Sequence, residues 1–258
     1  MLSSFIFLIL QVLGAIIAPL VFVPVEFRPP LSAAPGVLDV GLILVMATIG
    51  AVLIIILKFI IPLRILSHFV VMFSGFYLGS FFGTVHGIIL GTISILLRLM
   101  NNIWLNNTAT AISAIAFGLL VGYFVDPGFS LLLIAALSVY DAIGVLYSKH
   151  IQAIWLGKVE KQEKTIEITK EKILDGILMA IPTNTGYEIT GVGDYALPLV
   201  LVISVAKMNL LAGIIIAIFS SLGYSQMQNV RGRVLPGMPF IGVGCTLGLI
   251  SVQALGLI

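Results

Sequence analysis

Cysteine is almost absent from this 258-residue chain, with Cys245 the only one. A single thiol cannot close an internal disulfide, and it excludes a cysteine-based metal site. Cys245 reads as a small apolar residue within a helix. Charge is equally scarce. Asp, Glu, Lys and Arg supply 9% of the residues, where soluble domains carry about 25%. The net charge of +2 is too small to favour nucleic acid as a partner. There is no Walker loop, no HExxH and no dinucleotide fingerprint behind a strand, so neither metal nor cofactor is expected. The sequence repeats that many secondary transporters carry are missing as well. The N-terminus lacks the basic segment of a cleaved signal peptide, and the apolar run that starts there is expected to persist as a first span.

What the chain has in abundance is hydrophobic length. Hydrophobic residues make up 60% of it, and the mean hydropathy is +1.19. A membrane-crossing helix needs about 20 apolar residues. Runs of this kind occupy 2–22, 38–62, 65–83, 85–99, 108–125, 129–152, 189–207, 209–225 and 237–257. The expected fold is an all-α, multi-pass membrane protein of nine helices. Helices one to five, within 1–125, form an N-terminal scaffold. Helices six to nine, within 126–258, carry the chemistry, with a cytoplasmic connection at 156–188. Basic residues favour the cytoplasmic side of a membrane. With the N-terminus inside, that side holds Lys58, Arg64, Arg98, Lys149, Lys158, Lys161, Lys164, Lys170, Lys172, Arg231 and Arg233, and the outside holds only Arg28 and Lys207. An odd span count then places the C-terminus outside. The cell membrane is the expected location and the lipid bilayer the first partner.

Several local patterns refine this layout. Gly75, Gly79, Gly83, Gly87 and Gly91 recur at every fourth residue, a stripe that lets helices pack closely. His86, in the same stretch, reads as a structural residue near a helix end. In the hydrophilic connection, Thr165–Thr169 and Tyr187–Thr190 alternate polar with β-branched or aromatic residues, which favours strands. Between them Ile173, Leu174, Ile177, Leu178 and Ile181 fall at helical spacing, which predicts a short interfacial helix. Asn106-Asn107-Thr108 matches a glycosylation sequon, but on the cytoplasmic side it carries no weight.

Two aspartates stand within apolar runs. A carboxylate at membrane depth costs a few kcal/mol or more and marks a functional site by default. Asp141 lies twelve residues after Phe129 on a span running inward, or about 18 Å below the outer edge. Asp194 lies thirteen residues before Lys207 on the next span, running outward, or about 20 Å below the same edge. Two adjacent antiparallel helices thus bring both acids to one depth. Paired carboxyl groups share one proton over a broad pH range. The ionised member takes a proton from water, and the protonated member polarises a carbonyl and then protonates the leaving nitrogen. Such a pair titrates as a unit, so the two roles are not assigned from sequence.

The neighbours of Asp194 suit a bound peptide. Gly191 and Gly193 flank Val192 and let backbone approach the acid closely. Pro236-Gly237-Met238-Pro239 opens the last span after Leu235. Two prolines remove two amide donors. That leaves either an irregular segment lining a cavity or a proline-initiated helix.

In this combination the chain resembles the presenilin-type GxGD intramembrane aspartyl proteases, relatives of signal peptide peptidase, in a prokaryotic form without long tails. Ser138-Val139-Tyr140-Asp141 matches the family's Tyr-Asp motif. Gly191-Val192-Gly193-Asp194 matches GxGD. Pro236-Gly237-Met238-Pro239 resembles Pro-Ala-Leu-Pro, with Gly and Met in place of Ala and Leu. Lys207 falls where similar proteins carry a lysine at the end of the seventh helix. The resemblance implies Asp141 and Asp194 as the catalytic pair, and no metal. It implies transmembrane-helix proteins as substrates, entering sideways and cut within the membrane. Tyr140, Gly191, Val192, Gly193, Leu235, Pro236, Gly237, Met238 and Pro239 become motif or substrate-binding residues. A helix must unwind before it is cut, so Tyr187, Glu188, Ile189 and Thr190 are expected to pair with the extended substrate by strand addition. The inward N-terminus is similar to presenilin and opposite to signal peptide peptidase. Three other readings compete: a prepilin or preflagellin peptidase, a proton-coupled transporter or channel, and a membrane scaffold that has lost activity. Association into a homo-oligomer stays open.

Overall fold

A computed structural model describes residues 2–20, 63–100, 102–146, 178–183, 186–229 and 236–258. Among them run α1 (Leu2–Ile17, continued by a 3-10 turn Ala18–Leu20), α2 (Leu63–Ser80), α3 (Thr84–Leu99), α4 (Ile103–Phe124) and α5 (Pro127–Leu146). A hairpin of β1 (Leu178–Thr183) and β2 (Gly186–Gly191) follows, and then α6 (Val192–Ala206), α7 (Leu210–Asn229) and α8 (Gly237–Ala254). The predicted span 38–62, the predicted strand Thr165–Thr169 and Leu235 lie outside the described residues.

Short polar side chains start several helices. Asn102 accepts the Trp104 N–H at 2.9 Å ahead of α4. Asp126 accepts the Phe129 N–H at 2.9 Å ahead of α5. Asn209 accepts from Leu211 at 3.0 Å ahead of α7. Each satisfies an amide that the first helical turn leaves without an internal partner. The lengths match an apolar solvent. α1 with its 3-10 turn, α4, α7 and α8 are long and apolar enough to cross a membrane, and α2, α3, α5 and α6 contain shorter apolar helices. Large apolar side chains such as Phe5, Phe69, Phe73, Phe82, Ile88 and Val243 face outward, as they do when lipid, not water, surrounds a helix bundle.

The apolar stretch 65–99 divides into two helices at a turn through Gly83, whose φ of 121° favours glycine. α2 and α3 then pack along the glycine stripe. A Cβ on Gly79 would stand 2.5 Å from the His86 carbonyl and 2.8 Å from the Gly87 Cα. His86 is exposed in the first turn of α3.

α6 is the buried axis of the molecule. Its residues Pro198–Ala206 are all buried, and α1, α4, α5, α7 and α8 all pack against it. Gly118 and Gly122 of α4 bring that helix close, since a Cβ at Gly122 would stand 2.6 Å from the Val200 carbonyl. Just beyond the C-terminal end of α6, Lys207 Nζ donates to the carbonyls of Tyr123 and Val125, each at 2.7 Å, and closes the end of α4.

Two expectations are corrected, and one left open is decided. Residues 178–181 are the strand β1, although their spacing predicts helix. Ile181 precedes Pro182, which disfavours the α conformation, and the segment satisfies its backbone against β2 and α4 instead. The seventh helix begins at Val192 and not at Ile189, because β2 runs through Gly191, which caps the helix in an extended conformation. Of the two readings of Pro236–Pro239, the structure has the helix start. Pro236 is the extended cap, and α8 starts at Gly237.

Gly79→Ala is expected to lower thermal stability in detergent, since its methyl meets backbone on α3; overpacking of this kind costs about 1–3 kcal/mol. An unchanged unfolding temperature would mean the stripe is not a tight contact.

Candidate active site

Both aspartates converge on the first turn of α8, for different local reasons. Asp141 lies on α5, three residues after Ser138, so both side chains share one helix face. The Met238 N–H donates to Asp141 Oδ2 at 3.1 Å, and Ser138 Oγ donates to the Met238 carbonyl at 3.0 Å. α5 therefore grips both polar groups of one residue in the opening turn of α8. The Gly237 N–H also faces the Asp141 carboxylate. Helix N-termini leave amide donors unpaired and carry partial positive charge. Asp141 supplies the cap that Pro236, which has no side-chain cap bond, does not provide.

Asp194 sits in the first turn of its own helix, three residues after the cap residue Gly191. Its carboxylate reaches back to the Gly191 N–H, in the manner of a capping box. It also lies against α8. A Cβ on Gly237 would stand 3.5 Å from Asp194 Oδ2 and 3.1 Å from Met227 Sδ. Asp141 stands close enough for its charge to act on the Asp194 carboxyl. Both are half-buried. They thus flank one glycine, each on a helix N-terminus, with surface left open to a reactant.

An apolar cavity of about 630 Å³ adjoins this point between α2, α4 and α6, lined among others by Phe69, Phe73, Phe117, Val192, Gly193 and Ala196. A Cβ on Gly193 would meet nothing within 4 Å. The missing side chain there serves no packing and leaves the approach to Asp194 unobstructed.

The other expected residues separate into two groups. Gly191, Gly237 and Met238 lie against the pair, and Val192 and Gly193 line the adjoining cavity. Tyr140 lies open on the surface of α5, 60% exposed. Pro239 lines a different groove, between α7 and α8, with Leu222 and Phe240. In β2, Ile189 is 38% exposed but Thr190 is buried, and the Glu188 side chain turns into the protein. Glu188 accepts from Ser3 Oγ at 2.7 Å, Gln228 Nε2 at 2.6 Å and Tyr224 OH at 3.2 Å. Tyr224 OH lies 3.0 Å from Thr190 Oγ1 and 3.3 Å from Tyr195 OH. Phe7 stacks on the Tyr224 ring at 4.5 Å. Glu188 and Thr190 therefore anchor β2 to α1 and α7, through side chains, while Tyr195 joins this network to the residue beside Asp194.

Several contributors carry no sequence signal of their own. Gln11 donates to the Tyr195 carbonyl at 3.0 Å, on the turn where Pro198 has no N–H to offer Asp194. Tyr224 and Gln228 become visible as partners only once α7 lies beside β2. Ser138 was legible through its spacing from Asp141.

No protein-family profile matches the chain, and no curated protein sequence matches it. Its fold does match solved structures. Two of them, in different space groups, are structures of a presenilin family intramembrane aspartate protease. One superposes with a TM-score of 0.67 at 19% identity, covering 99% of this chain and 98% of the other. The second gives a TM-score of 0.61 at 18% identity over 98% and 99%. The described helices and hairpin therefore have the presenilin-family fold.

Glu188→Ala removes the acceptor for three donors. Each buried donor left unmet costs about 1–3 kcal/mol, so the unfolding temperature in detergent should fall clearly, and Glu188→Gln should fall less. A Glu188→Ala protein as stable as the parent would mean that the anchor of β2 lies elsewhere.

Proposed function

We propose that the chain is an intramembrane aspartic endopeptidase of the GxGD class that hydrolyses peptide bonds within transmembrane segments of other membrane proteins. The observation that carries this reading is the convergence of Asp141 and Asp194 on one helix N-terminus beside an apolar cavity. The likeness in fold to an intramembrane aspartate protease supports it.

In this reading the two carboxyl groups share one proton. The ionised one removes a proton from a water molecule, whose oxygen bonds to the carbonyl carbon of the scissile peptide. The protonated one gives its proton to the carbonyl oxygen. The resulting tetrahedral diol collapses as the C–N bond breaks: the nitrogen takes a proton from one carboxyl, a diol hydroxyl gives its proton to the other, and a carboxylic acid and an amine leave with the pair again holding one proton. The amides at the start of α8 hold Asp141 in place during these transfers. The substrate segment occupies the apolar cavity, unwinds at its end, and runs past Gly193 as an extended chain beside β2. Nine spans, a cytoplasmic N-terminus and a cell-membrane location fit the distribution of Lys and Arg. That orientation favours substrates whose N-termini lie outside.

Cleavage of a single-span reporter by the purified protein in lipid tests the reading. Asp141→Asn and Asp194→Asn should each lower the rate by about a hundredfold or more. Cleavage surviving both changes would remove it, and proton flux without cleavage would favour a transporter. Gly193→Ala should unfold at the parent's temperature yet cleave more slowly, because its methyl enters the substrate's path. Equal rates would free Gly193 of that role.

A further inference from the structure

The two outer edges of the hairpin are not alike. In an antiparallel strand the N–H and C=O of one residue point the same way, alternately toward and away from the partner. Asn107 of α4 reveals the phase. Its Nδ2 donates to the Ala180 carbonyl at 2.7 Å, and its Oδ1 accepts the Ala180 N–H at 2.9 Å. Ala180 therefore turns both groups away from β2. By alternation Leu178 and Pro182 do the same, and on β2 so do their partners Gly191, Ile189 and Tyr187.

The edge of β1 is held at Leu178 and Ala180. The Leu178 carbonyl accepts from Asn106 Nδ2 and Thr110 Oγ1, each at 3.3 Å. Ala180 is paired with Asn107. Pro182 has no N–H to offer. Asn106 is itself fixed by Arg98, a buried residue that also donates to Ser67 Oγ at 3.1 Å. On the β2 edge, among the described residues, neither a strand nor a side chain pairs with the Ile189 N–H or C=O. β2 enters α6 at Gly191, one helical turn before Asp194.

We propose that Asn107 is a positioning residue for the cleavage: its side-chain amide takes the place of a third strand on β1 and so sets where the open β2 edge stands relative to Asp194. This rests on the proteolytic reading above. A substrate strand pairing with Ile189 takes its register from that edge, and the register selects the peptide bond that reaches the two carboxylates. Glu188 and Thr190 hold β2 by its side chains. Asn107 holds the hairpin by its backbone, from the opposite edge. Releasing it lets the hairpin shift or tilt without detaching it. A purely structural Asn107 would alter how many molecules are active, but not where they cut.

The test uses the full chain in lipid, as parent, Asn107→Ala, Asn107→Leu and Thr110→Val, with Asp194→Asn beside them. Products of a single-span reporter are weighed by mass spectrometry, KM and kcat are separated, and backbone hydrogen exchange is followed across 178–183. Asn107→Ala and Asn107→Leu should speed exchange at Ala180 by about fivefold to tenfold, the effect of one lost hydrogen bond. They should also move part of the cleavage to neighbouring peptide bonds and raise KM. Thr110→Val, which removes only a 3.3 Å bond, should change both less, in the same direction. An unchanged cut-site pattern, with kcat alone reduced, would overturn the proposal. Unchanged exchange at Ala180 would overturn it too, whether or not the reporter is cut. A parent that does not cleave would sink the proteolytic reading and, with it, the assigned role, while the exchange data would still decide whether the clamp exists.

Discussion

The opening turn of α8, held between two carboxylates, is the constraint on which the rest of this structure depends. A helix start presents unpaired amides, and here Pro236 offers no side chain to meet them. Asp141 meets them from another helix. Asp194 lies against the same turn, its Oδ2 at ordinary contact distance, 3.5 Å, from where a Cβ on Gly237 would stand. The contact therefore fixes the relative height of α5, α6 and α8 in one place. It gathers two acids that would each be costly alone in an apolar medium, and surrounds them with backbone N–H groups from two helix termini. What makes the acids tolerable is also what leaves them poised side by side.

Around this point the fold uses two kinds of glue. Close helix contacts come from residues with little or no side chain, as where α4 reaches Val200 through Gly122. Polar anchors fix the hairpin: Glu188 and Thr190 through Tyr224 on one side, Asn106 and Asn107 on the other. A two-stranded hairpin is marginal by itself, so these anchors give β2 a defined position beside the acid. These pairings matter because a buried polar group left without a partner costs about 1–3 kcal/mol.

Much of this was legible from the chain. The spacing of apolar runs marked the described helices, and the two aspartates stood out as charges where charge is scarce. Asp141 and Asp194 were placed at one depth by counting residues along antiparallel helices. Ser138 shares a face with Asp141 by its spacing alone. Other features were hidden because they depend on partners distant in sequence. The helical spacing of Ile177, Leu178 and Ile181 is real, but β1 forms because β2 and Asn107 offer its backbone a better set of bonds. Glu188, on a strand expected to pair with an extended substrate, turns its side chain to Ser3 and Gln228, residues from opposite ends of the chain.

The sequence by itself determined the apolar surroundings, the helical class and the identity of two acids within apolar runs, because these follow from composition and from local periodicity. Tertiary structure alone decided which amides cap Asp141, that Pro236–Pro239 begins a helix, and which edge of the hairpin stays open. Each of those outcomes is a competition for hydrogen bonds among residues tens to hundreds of positions apart. Local propensity does not register such a competition, and only the packed molecule settles it.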